Sequence, residues 1–231
     1  MTTIAANLQT VRSRISTACT AAGRDVTEVT LLAVSKTFPA DAVRAAHAAG
    51  ATEFGENYIQ EAVEKQALLT DLPLTWHCIG PIQSNKTRLV AEHFAWAQSV
   101  DRLKIAQRLN EQRPADLPPL SVCIQVNIDG GPGKSGVLPQ EALALAREIA
   151  QLPRLHLRGL MTIPEPVADF AAQVAVHRRA RALFDQLRGA GLALDTLSLG
   201  MSADLEAAIQ AGSTMVRVGT AIFGGRAAKV A

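Results

Sequence analysis

Thr30-Leu31-Leu32-Ala33-Val34-Ser35, then a helical stretch from Pro39 to Ala49 closed by Gly50, then Glu53-Phe54-Gly55-Glu56-Asn57: these residues read as a strand, a helix and a second strand. The first run is apolar on both faces, which suits a parallel strand covered on both sides. Proline opens a helix without losing a needed N–H, and glycine closes one in the left-handed conformation. A strand, a crossover helix and another strand within so short a span is the unit from which parallel sheets are built.

The alternation continues in both directions. Upstream, Ile4, Leu8, Val11, Ile15 and Cys19 recur at helical spacing and Gly23 ends the pattern, so a helix precedes the first strand. Downstream, a helix from Ile59 to Leu69 leads to a third strand, Thr75–Gly80, and a helix over Lys86–His93. Ala95–Val100 reads as the fourth strand, with Asp101 capping a helix through Leu109. Leu120–Ile128 and a helix over Pro139–Gln151 follow, then His156–Ile163 and a long helix over Ala168–Ala190. Thr196–Met201 is the seventh strand, Asp204–Ala211 a short helix stopped by Gly212, and Met215–Phe223 the eighth strand. An α/β fold follows: a single (β/α)8 TIM-type barrel with an extra N-terminal helix, spanning residues 1–231 as one domain. An open doubly wound sheet is the other arrangement, but this many units in one domain favour closure. In either, chemistry gathers at the C-terminal ends of the strands.

Composition narrows the function. The chain is 48% hydrophobic and 19% charged, with 23 basic and 21 acidic residues mixed along its length and a formal charge of +2. No basic arm or aromatic-studded stripe speaks for nucleic acid. No apolar run reaches membrane-spanning length and no signal-peptide core opens the chain, so a cytoplasmic location is expected. Cys19, Cys78 and Cys123 stand far apart without metal-ligand spacing and read as buried free thiols in a reducing compartment. Asp101, Asp129, Glu165 and Asp204 are scattered, so neither a metal cluster nor a carboxylate pair is expected.

The strand ends carry the candidates. Lys36 follows the first strand on the face of Leu32 and Val34. Pointing inward, it offers an amine whose desolvation lowers its pKa and frees it to attack an aldehyde; pointing outward, it snorkels to water. In Met215-Val216-Arg217-Val218, the valines suit the helix-covered outside, which sends Arg217 inward on the strand beside that of Lys36. A buried guanidinium needs acceptors, from an acceptor-rich ligand or from a structural carboxylate. Gly219-Thr220 and Gly200-Met201-Ser202 end the last two strands, where barrels of this kind form phosphate cups. Asn57 ends the second strand, either to bond a ligand or to cap a turn. His77 on the third reads as a satisfied core histidine rather than a catalyst. Asp129-Gly130-Gly131-Pro132-Gly133-Lys134-Ser135 lacks the leading glycine of a nucleotide-binding P-loop, because Ile128 stands there, and reads as a mobile loop.

Together these segments resemble the YggS/PROSC family of pyridoxal-phosphate homeostasis proteins, itself similar to the N-terminal barrel domain of alanine racemase. The resemblance rests on Ala33-Val34-Ser35-Lys36, Phe54-Gly55-Glu56-Asn57-Tyr58, Trp76-His77-Cys78-Ile79-Gly80-Pro81-Ile82-Gln83-Ser84-Asn85-Lys86 and Gly159-Leu160-Met161. Ser198-Leu199-Gly200-Met201-Ser202-Ala203-Asp204 and Val216-Arg217-Val218-Gly219-Thr220-Ala221-Ile222-Phe223-Gly224 complete it, in order along essentially the whole chain. It implies pyridoxal 5′-phosphate held as a Schiff base on Lys36. It further implies phosphate contacts near Ser202, Gly219 and Thr220, Arg217 at the pyridine nitrogen, Asn57 near the ring and Met161 packed beside it. The loop after Asn127 departs from the family, with Gly130-Gly131-Pro132-Gly133 in place of a polar, acidic stretch.

A racemase needs an acid/base group on each face of the substrate carbon. Lys36 supplies one; related racemases take the other, a tyrosine, from an added β domain, and here the chain ends soon after the eighth strand. No catalytic residue is assigned. The expectation is a monomeric carrier that buffers the cofactor and delivers it to pyridoxal-phosphate-dependent apo-enzymes. The alternatives are a small amino-acid racemase using Tyr58 or His77, and a barrel enzyme that forms a Schiff base between Lys36 and a phosphorylated sugar.

Overall fold

The computed structural model describes residues 3–131 and 133–225. Eight parallel strands close into a barrel in sequence order, and β8 pairs with β1 to complete the ring. The strands are β1 (Thr30–Val34), β2 (Glu53–Glu56), β3 (Thr75–Cys78), β4 (Trp96–Val100), β5 (Leu120–Val126), β6 (Leu155–Thr162), β7 (Thr196–Ser198) and β8 (Met215–Val218). Around them run α1 (Ile4–Ala21), α2 (Ala40–Ala48), α3 (Ile59–Ala67), α4 (Thr87–His93), α5 (Leu103–Gln112), α6 (Ala142–Ala150), α7 (Phe170–Gly189), α8 (Leu205–Gln210) and α9 (Thr220–Phe223). The expected barrel and the helix ahead of it are both present.

Alternation along each strand separates two apolar environments. Ala33, Val216 and Val218 join the large core between strands and helices, whereas Leu32, Val34, Ile79 and Met215 form a small cluster of their own. That cluster lies in the barrel interior, because Leu32 stands in register with Arg217 and the alternate residues face out. The helix α1 buries Leu8, Val11, Ile15, Ala18 and Cys19. It is tied to its neighbours by Arg12 to the Ala49 and Gly50 carbonyls, by the Arg14–Glu206 ion pair, and by Asn7 to the Ile222 carbonyl.

Three details differ from the sequence reading. Residues 220–223 form the helix α9 rather than the end of a strand, because β8 stops at Val218 and the chain turns at Gly219. Asp101 does not cap α5: Arg102 holds the N-cap position without a side-chain bond, and the Asp101 carboxylate pairs instead with the Arg102 guanidinium. The loop after β5 has anchors, since Asp129 binds Lys134 and Arg179, and the Asn127 amide donates to the Gly131 carbonyl.

Candidate functional site

The C-terminal mouth of the barrel holds a cavity of about 280 Å³. Lys36, Asn57, Ser202, Arg217, Gly219 and Thr220 line it, with Val34, Ile79, Ile163, Met201 and Ala203. Six of the seven expected residues therefore meet in one space. The seventh, Met161, is fully buried in β6 and does not line the cavity. A larger hollow of about 720 Å³ lies beyond the opposite strand ends, against α1, and holds no lysine; its Arg12 is taken up by backbone carbonyls.

Arg217 is 4% exposed. Its Nη1 donates to the Ser198 carbonyl at 2.7 Å and to Ser198 Oγ at 2.8 Å, and its Nη2 donates to the Thr162 carbonyl at 2.8 Å. Neutral acceptors hold the guanidinium, and no carboxylate forms an ion pair with it among the described residues. Burial pulls its pKa down to about 10, which leaves it charged at neutral pH.

From Arg217 a chain of hydrogen bonds crosses the barrel interior. Ser198 Oγ donates to Gln98 Oε1 at 2.7 Å, and Gln98 Nε2 donates to His77 Nδ1 at 2.9 Å. His77 then carries its proton on Nε2, 2.6 Å from Glu53 Oε2 near the other end of the barrel. Each link passes a donor toward the carboxylate, so the bonds polarise one another in one sense. Both ring nitrogens of His77 are occupied, and burial holds its pKa below the ordinary imidazole value against the pull of Glu53. His77 is the satisfied core histidine that its position suggested.

The loop with Ser202 is braced from behind. Asp204 Oδ1 accepts the Met201 N–H at 2.7 Å, Oδ2 lies 2.9 Å from His177 Nε2, and Arg14 donates to the Ser202 carbonyl. Burial pushes the Asp204 carboxyl up, but the bonds from His177 and Met201 outweigh it and the net shift is downward. On the other side, Asn57 Oδ1 is buried with no hydrogen-bond partner in the protein. Gly80 lets Asn57 sit where it does, because a Cβ there would fall 2.3 Å from the Asn57 carbonyl oxygen.

An amine, a charged guanidinium, two hydroxyls, a glycine and an asparagine lining one cavity fit a small ligand bearing an aldehyde, a phosphate and ring substituents that bond. Tyr58 does not line the cavity and is 52% exposed. Lys134 is drawn to Asp129 and Glu165 and does not line it either.

The family model for the alanine racemase N-terminal domain matches residues 3–227. The chain belongs to that family. Within it, the chain is 64% identical over 226 residues to the pyridoxal phosphate homeostasis protein of Pseudomonas aeruginosa, covering 98% of this chain and 97% of that protein. It is 56% identical to the protein of the same name from Escherichia coli K12, covering 98% of each. Among solved structures, PipY of Synechococcus elongatus with PLP bound superposes with a TM-score of 0.84 at 40% identity, covering 96% of this chain and all of PipY. An alanine racemase from Clostridium difficile shares the fold alone, at 17% identity and a TM-score of 0.74, with 58% of its length covered.

Sequence reasoning missed the apolar lining and the interior relay. Val34 was legible as sharing a face with Lys36, but alternation left open which face pointed inward; Ile79 and Ser198 stood only inside longer motifs with no role of their own, and Gln98 lay in no motif at all. Glu56 appears only inside a motif, with no partner to give it a role.

Proposed function

We propose that this protein binds pyridoxal 5′-phosphate in the cavity at the barrel mouth, with Lys36 as its covalent anchor, and serves as a carrier that buffers the cofactor and delivers it. The convergence of Lys36, Asn57, Ser202, Arg217, Gly219 and Thr220 on one small cavity carries this reading, and relatives named for pyridoxal phosphate homeostasis support it. When bound, the cofactor supplies an aldehyde that condenses reversibly with a primary amine and a phosphate that can be gripped by hydroxyls and backbone.

The chain's own residues divide the work. Lys36 offers the amine, Ser202 and Thr220 offer hydroxyls beside Gly219, and Asn57 offers an acceptor for a ring substituent. Arg217 stands toward the ring nitrogen. A guanidinium held by three neutral acceptors cannot take a proton from that nitrogen, so the ring stays a weak electron sink. Racemisation also asks for a second acid/base group, and the two side chains considered for it lie elsewhere: Tyr58 away from the cavity, His77 engaged at both nitrogens. Reversible attachment near an open mouth suits delivery to pyridoxal-phosphate-dependent apo-enzymes. A closed barrel with no free sheet edge suits a monomer. Three buried free thiols suit a reducing cytoplasm, and no helix among the described residues is long and apolar enough to cross a membrane.

The test is the absorbance spectrum of the protein mixed with pyridoxal phosphate, before and after borohydride, with peptide mapping of the adduct. A visible band that borohydride abolishes, with the label on Lys36, is the expected result. Label on another lysine would overturn the anchor. Exchange of the α-hydrogen of alanine or serine at enzymic turnover in deuterated water would overturn the carrier in favour of a racemase.

A further inference from the structure

Thr37 is the only residue other than glycine with a positive φ, +69°, among the described residues. Such a conformation is costly outside glycine and persists only where its surroundings impose it. The surroundings here are side chains of α3. The Ser35 carbonyl accepts Lys65 Nζ at 2.9 Å, alongside the Phe38 N–H. The Thr37 N–H donates to Glu61 Oε1 at 2.8 Å. Glu61 and Lys65 are four residues apart, on one face of the helix, and meet at 3.2 Å.

Lys36 lies between the two peptide groups so held. The Ser35–Lys36 peptide is pinned through its carbonyl and the Lys36–Thr37 peptide through its N–H. Peptide planes are rigid, so fixing both leaves the Lys36 backbone little freedom and sets the direction of its Cα–Cβ bond. Glu56 locks the arrangement from β2: its Oε1 accepts Lys65 Nζ and Ser35 Oγ, each at 2.6 Å.

Stability alone is a weak reason for this network. Lys65 is 5% exposed and Glu56 1%, and a buried ion pair is often no better than apolar residues of equal volume. Glu56 Oε2 has no partner, and burial pushes the carboxyl up against the pull of Lys65 and Ser35. We propose that Glu61 and Lys65, with Glu56 behind them, are positioning residues that aim the Lys36 amine into the cavity. The proposal rests on Lys36 being the anchor.

Glu61→Ala, Glu61→Gln and Lys65→Met, each in the parent protein and in Lys36→Ala, test it. Peptide mapping of the borohydride-reduced parent comes first, and label away from Lys36 removes the anchor and this proposal with it. With the label on Lys36, Glu61→Ala and Lys65→Met should slow Schiff-base formation from pyridoxal phosphate about tenfold or more, as small misplacements of a reacting group do. Glu61→Gln keeps an acceptor for the Thr37 N–H and should stay within about threefold of the parent. In the protein without cofactor, amide exchange at Thr37 should quicken in Glu61→Ala and not in Glu61→Gln. In the Lys36→Ala background, Glu61→Ala and Lys65→Met should leave the noncovalent affinity for pyridoxal phosphate unchanged. Unaltered rates in folded Glu61→Ala would overturn the proposal, as would equal losses of affinity without Lys36, which would mean that the network shapes the cavity as a whole. Glu61 is 38% exposed in its side chain, so its variants keep the test available should Lys65→Met fail to fold.

Discussion

At the scale of single residues, Arg217 shows how one side chain serves both the fold and the site. Its three hydrogen bonds reach the backbone of β6 and β7 and the hydroxyl that begins the relay to Gln98. Removing it strands two buried carbonyls, and each unmet buried group costs about 1–3 kcal/mol. Arg217→Met, similar in bulk, should therefore lower the free energy of unfolding in urea by about 3 kcal/mol with an unchanged denaturant slope. A loss below about 1 kcal/mol would mean that water replaces the guanidinium there. The direction of Arg217 was legible in the sequence because valines on either side of it claim the outer face. Its partners were not, since a carbonyl acceptor leaves no trace in residue type. For the same reason, Lys65 reads as an ordinary helix lysine until the fold brings it beneath the end of β1.

At the scale of elements, the strand–helix order was legible, because apolar runs and glycine stops recur with the period of each unit. The strand ends were less so. In the sequence, Val218, Ile222 and Phe223 read as a continuing strand, yet Ile222 and Phe223 are buried from α9 against the outer core. Short apolar runs do not by themselves separate a strand from a helical turn. The Asp101 cap failed by a single position, which is the scale on which helix starts depend on local geometry. Gly159 in β6 is a different kind of signal: a Cβ there would lie 1.7 Å from the Thr196 carbonyl and 3.2 Å from the Phe184 ring. Gly159 pairs with Thr196, so the glycine allows β6, β7 and α7 to approach. Gly159→Ala should cost about 3 kcal/mol or more, because both the strand and the helix must yield to one methyl group. Thermal and urea unfolding would read that loss, and a stability within about 0.5 kcal/mol of the parent would show that the approach is softer than the close packing implies.

At the scale of the whole molecule, closing the barrel hides titratable groups that the unfolded chain would expose, and this sets the limits of stability in pH. Buried His77 has its pKa lowered by burial, so between its folded value and the unfolded value of about 6.5 the unfolded state holds the extra proton. Stability from this group is present above about 6.5 and is lost as the pH falls toward the folded value. Cys78 and Cys123 act in the opposite direction. Burial raises each from 9.0 to about 12, so their contribution is complete below 9.0 and is lost as the pH rises toward 12. Each thiol should remove about 1.4 kcal/mol per pH unit across that window. Urea unfolding from pH 5 to 11 should give a plateau between about 6.5 and 9 with a falling limb on either side. The double variant Cys78→Ala/Cys123→Ala should begin from a lower plateau, because two buried side chains are trimmed, yet descend more gently on the alkaline side. The slope rather than the offset carries the inference, since lost packing is independent of pH and thiol ionisation is not. Parallel alkaline limbs in the two proteins would show that water reaches both sulfurs in the folded barrel and that closure does not seal its wall.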